Sequence, residues 1–131
     1  MAPPRLAPAV QAFVAAHVRT LDELQLLMTM IQSGDRWWDA AGAAREAGLS
    51  VADARAALDA FAAQNLLDIK IGEDLRYQFR PGTPALGEAA QATADAYRSR
   101  PLDVARLVGP GAQRSVSDFA DAFRIRRDDE R

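Results

Sequence analysis

The sequence predicts a mainly α chain with one small β-hairpin, and three observations carry that expectation. Apolar residues recur at three-to-four spacing through most of the chain, the period drops to two only between Leu67 and Phe79, and helix-capping residues stand ahead of the helical stretches. A length of 131 residues suits one ordinary domain with extensions. Of the 49% hydrophobic residues, 28 are alanine, so the core is modest and the helices must approach closely.

Pro8 stands where a helix N1 residue would, and Leu6, Val10, Phe13, Val14, His17 and Val18 share one face, which gives a first helix over 8–18. Thr20 and Glu23 then read as a capping box, each side chain bonding the other's amide. The helix they open carries Leu24, Leu27, Met28 and Ile31 inward and stops at Gly34. Residues 35–38, with Trp37 and Trp38, form a stub of strand. Asp39 caps a short Ala-rich helix that ends at Gly48, and Ser50 opens the next, with a buried stripe of Val51, Ala54, Leu58, Phe61 and Ala62. Only Gly48-Leu49-Ser50 separates these two helices, a helix-turn-helix spacing.

From Leu67, apolar Leu67, Ile69 and Ile71 alternate with Asp68 and Lys70. After a Gly72-Glu73-Asp74 turn, Leu75, Tyr77 and Phe79 alternate with Arg76 and Gln78, completing a β-hairpin. Thr83 and Pro84 start a helix over 84–99 with a small-residue stripe of Leu86, Ala90, Thr93, Ala94 and Tyr97, and Pro101 starts a shorter one through Val108. Residues 109–113 are a linker by composition, and Ser115 begins a last helix with Val116, Phe119, Ala120 and Phe123 aligned.

Composition excludes several functions. The absence of cysteine removes disulfide frameworks, thiolate nucleophiles and nearly every structural zinc site, which fits a reducing cytoplasm. No run resembles an export signal or approaches the roughly 18 apolar residues of a membrane span. His17, the single histidine, lies on an apolar face and reads as a packing residue. No nucleotide-binding or zinc-protease motif occurs, and no carboxylate pair sits on an apolar background, so neither catalysis nor a cofactor or metal is expected.

The order helix, stub strand, short helix, tight turn, longer helix and hairpin resembles the winged helix-turn-helix family, and GLSVADARAALDAFAAQNLLDIKIGEDLRYQF resembles its recognition-helix and wing half. With helices added at both ends, the chain resembles MarR-type bacterial regulators, and the run from Ser117 to Asp128 is similar to the tails of small bacterial winged-helix proteins without a known activity. The resemblance implies an N-terminal helical extension over 1–19, a winged helix-turn-helix over 20–82, dimerising helices over 83–108, and a linker with an amphipathic tail over 109–131. It implies a cytoplasmic, homodimeric, DNA-binding transcriptional regulator. Phe13, Val14, Leu86, Tyr97, Leu102 and Leu107 are the apolar residues expected at the dimer contact.

For DNA, the resemblance points to Ser50, Ala52 and Arg55 on the recognition helix and to Lys70, Arg76 and Arg80 on the wing. Of these, Arg55 is the side chain able to bond a guanine edge bidentately. The charge is unfavourable: residues 20–82 hold six basic and ten acidic side chains, net −4, and the wing tip is Glu73-Asp74. The alternative is an adaptor of the same fold that recruits a protein through its tail, where the anchors Phe119 and Phe123 precede Arg124, Arg126 and Arg127. The plainer reading of the tail is that it folds back on its own domain. A membrane surface is disfavoured, because the tail's five basic residues are matched by five acidic ones.

Overall fold

Local hydrogen bonding sets where the helices begin and end. The computed structural model describes residues 6–108, within which α1 spans Pro8–His17, α2 Leu21–Gln32, α3 Ala40–Ala47, α4 Val51–Ala63, α5 Pro84–Ser99 and α6 residues 101–108. The side chains of Thr20, Asp39, Ser50 and Thr83 each accept from an amide three residues on, at 3.1, 2.8, 3.0 and 3.1 Å. The capping box expected at α2 is half formed: the Glu23 carboxylate takes the amide and guanidinium of Arg19, at 2.8 and 2.9 Å, and not the amide of Thr20. Arg19 offers a cation beside its amide, and a charge-assisted pair outcompetes a single amide.

Gly48 closes α3 at φ +76°, and the Leu49 amide returns 2.9 Å to the Ala44 carbonyl, so the chain turns into α4 within three residues. A Cβ there would meet nothing within 4 Å, which makes the backbone angle the sole reason for glycine.

Three antiparallel strands follow the same economy: β1 at Trp38–Asp39, β2 at Leu67–Ile71 and β3 at Leu75–Phe79, in the order β1-β3-β2. The hairpin register pairs Leu67 with Phe79, Ile69 with Tyr77 and Ile71 with Leu75, while Trp38 pairs with Tyr77 from the other side. β1 therefore begins at the end of the expected 35–38 stub, because its partners Tyr77 and Arg76, and not local propensity, decide where it starts. On the outermost strand, β2, the Ile69 amide is held by the Asp68 carboxylate at 3.0 Å.

The core lies between the inner sheet face and the helices, where Trp38 and Tyr77 meet Leu27, Met30, Leu58 and Phe61 in one buried cluster. The Trp38 indole N–H donates to Ser33 Oγ at 2.9 Å, and the Arg36 guanidinium lies 3.7 Å above the ring. Among the described residues no buried side-chain polar atom lacks a partner. α1 packs along α5, whose Ala90, Thr93 and Ala94 are buried and small enough for close approach. The Thr93 hydroxyl is satisfied within its own helix, on the Ala89 carbonyl at 2.8 Å.

Two expectations are corrected here. Phe13 and Val14, expected at a dimer contact, are buried in the core, where α1 packs along α5; Leu86, Tyr97 and Leu107 are partly buried against the core, and of that set only Leu102 stays open, at 71%. Most of the apolar surface offered for a dimer is thus consumed within one chain. Val51 is half exposed and not part of the α4 stripe, whose inward residues are Ala54, Ala57, Leu58 and Phe61. Packing against α3 and β2 sets that face, and Val51 lies beyond it at the first turn. Among the described residues, no helix is long and apolar enough to cross a membrane.

Gly48→Ala is expected to cost about 1 kcal/mol, through the left-handed backbone alone, and Gly48→Asn less. Chemical denaturation of the three proteins checks this. Equal midpoints for Gly48→Ala and the natural sequence would show that the turn relaxes to another conformation.

Candidate functional site

The hydroxyl of Tyr77, at the centre of the central strand, donates to Asp59 Oδ1 on α4 at 2.6 Å. Burial first, then the bond to Asp59 and its negative charge, raise the Tyr77 pKa to about 12 against the opposing Arg55 cation. Tyr77 is therefore a neutral donor at any physiological pH. The bond also turns the Tyr77 side of the hairpin toward α4.

Alternation then distributes the hairpin side chains. Ile69, Ile71 and Leu75 share the Tyr77 side, whereas Asp68, Lys70, Arg76 and Gln78 share the other. Ile71 is 82% exposed and Ile69 39%, and Leu75 is half-buried. The hairpin side that accompanies α4 thus ends in an open apolar patch, and the turn beyond it carries the exposed carboxylates Glu73 and Asp74.

The solvent face of α4 shows Ala52, Asp53, Arg55, Ala56 and Asp59. Arg55 lies one turn before Asp59, and among the described residues it enters no ion pair. The Ser50 hydroxyl is committed to the Asp53 amide as the α4 cap.

On the far side of the sheet, Lys70 Nζ sits 5.1 Å from the centre of the Trp37 ring, Arg80 pairs with Asp68 at 3.5 Å, and the Gln78 side-chain amide donates to the Asp35 carbonyl. Arg76 is exposed and stands opposite Asp39, whose carboxylate is occupied by the Gly42 amide. The six residues singled out for DNA therefore fall into two groups: Ser50, Ala52 and Arg55 on α4, and Lys70, Arg76 and Arg80 on the opposite side of the sheet. They do not converge on one surface. Ile69 and Ile71 are the residues that the sequence does not mark as a surface, since alternation puts them on the apolar side of the strand without showing that the core ends before the turn. The partner-binding set, Phe119, Phe123, Arg124, Arg126 and Arg127, lies outside the described residues.

Elsewhere, His17 Nδ1 lies 2.6 Å from Gln64 Oε1, with its ring 4.8 Å from that of Phe13, and so joins α1 to the end of α4. A groove of about 340 Å³ is lined by Gln25, Thr29, Gln32 and Ser33 together with Arg36, Trp38 and Glu46, a polar set with one carboxylate and no histidine. Among the described residues no three potential ligands stand close enough to hold a metal ion. In comparisons with known proteins, no family model, curated protein or solved structure matches the chain.

The Tyr77 geometry has a pH signature. The native phenol keeps its proton to about 12, while an unfolded tyrosine loses it near 10, so the native state binds more protons between those values and stability falls as pH rises through them. Ultraviolet titration is expected to show one phenol ionising late in the native protein, and Asp59→Asn should bring it toward the ordinary value. A late phenol that persists unchanged in Tyr77→Phe would show that the shift does not belong to Tyr77.

Proposed function

We propose that this chain is a non-enzymatic regulatory protein of the winged-helix type, acting as an adaptor that binds another protein on the α4 side of its hairpin. The order α2, β1, α3, α4, β2, β3, the strand order β1-β3-β2 and the three-residue link before α4 support the winged-helix reading. The observation that favours a protein over DNA is the exposed Ile69 and Ile71 patch on the side of the hairpin nearest α4. A DNA backbone there would meet isoleucine and carboxylate, while Lys70, Arg76 and Arg80 lie on the other side of the sheet and leave Arg55 on α4 to release counterions. An amphipathic segment with apolar anchors and a basic flank suits the patch, and burying Ile71 alone is worth roughly 1.5–3 kcal/mol. Relative to the adaptor expected from sequence, the recruiting surface moves from the tail to the hairpin.

A DNA-binding regulator is the second reading, and it rests on Arg55, exposed on α4 and free of ion pairs among the described residues.

A photo-reactive side chain placed at position 71 in the native host is expected to trap one discrete protein, and the same probe at position 70, on the opposite side of the strand, is expected to trap none. Fluorescence titration against duplex DNA decides the second reading. Tight binding that survives physiological salt, that Arg55→Ala weakens by ten-fold or more and that Ile71→Ser leaves unchanged would replace the adaptor with a DNA-binding regulator.

A further inference from the structure

Resting on the hairpin as the binding surface, we propose that the chain's own tail, residues 115–131, occupies the Ile69 and Ile71 patch and masks it until a partner displaces it. The patch sets the chemistry of its occupant: two neighbouring apolar side chains to cover two isoleucines, with cations close behind to meet Glu73 and Asp74 at the turn. The tail has Phe119 and Phe123 at a four-residue spacing, followed at once by Arg124, Arg126 and Arg127; the acidic run Asp128, Asp129 and Glu130 comes only after these cations, and the cations adjoin the second anchor.

Among the described residues the other exposed large apolar side chains, Leu21, Val51 and Leu102, sit on three different helices. Only Ile69 and Ile71 share one face of one element. Reach is sufficient: fully extended, residues 109–118 span up to ~33 Å. A body the size of residues 6–108 has a radius of gyration of about 13 Å. Tethering supplies a millimolar effective concentration, so a contact too weak to hold a free peptide suffices, and a partner with the same anchor pattern can compete.

The chain contains no cysteine, so two introduced thiols report on each other alone. In the full chain, Gly72→Cys with Ala122→Cys places thiols beside the patch and beside Phe123 while leaving every anchor in place. Gln91→Cys with Ala122→Cys, using an exposed site on α5, is the control. In a glutathione buffer, the first pair is expected to close into a cross-linked monomer at least ten-fold faster than the control, and added Ile71→Ser should abolish the difference. Equal rates, or disulfide-linked dimers as the main product, overturn the proposal, the latter making a second copy the occupant. A probe at position 71 that still traps a protein while the thiols show no preference would leave the adaptor function standing and remove only the masking.

Discussion

The bond from the Tyr77 hydroxyl to the Asp59 carboxylate joins the middle of the central strand to the helix packed beneath it. Tyr77 also stands opposite Trp38 in β1 and Ile69 in β2, so the residue anchored to α4 lies where both strand pairings meet. A slip of one residue would exchange every side chain between the two faces of the strand. Lys70 and Arg76 would then stand where Ile69 and Ile71 stand now. The separation of apolar and cationic side chains on the hairpin, from which the functional reading follows, is thus a consequence of where a single buried phenol finds its acceptor.

Around that point the chain builds a core from few large residues. Alanine and threonine on α5 let α1 lie close, and the apolar face of α1 is spent there on internal contacts. Trp38 takes the role that several aliphatic side chains have in a richer core: it is buried, hydrogen-bonded at its indole nitrogen and covered by Arg36. A small domain has little surface to spare for anything beyond its own stability. An exposed pair of isoleucines on such a protein is therefore informative in a way that a single exposed leucine is not.

Much of the fold was legible because its signals are local. Thr20, Asp39, Ser50 and Thr83 cap as their side chains dictate, Gly48 turns the chain as its φ requires, and the hairpin follows from strict alternation around a short turn. Errors arose where distant chain decides the outcome. The start of β1 depends on a strand far along the sequence; the burial of Phe13 and Val14 depends on α5; the exposure of Val51 depends on which face of α4 the sheet covers. The candidate site was legible as a set of residues but not as a surface. Arg55, Lys70, Arg76 and Arg80 can be read off the sequence, whereas the side of the sheet to which each cation belongs is set by the contact between Tyr77 and Asp59.

The carboxylate of Asp68 occupies the Ile69 amide on the outermost strand and also stands within reach of Arg80. An unguarded edge with isoleucine at alternate positions is a template on which further chains can stack into fibrils. Here an incoming strand would find that donor already taken, by a carboxylate whose other oxygen faces Arg80. Asp68 thus removes one of the backbone groups through which a further strand would add to this edge.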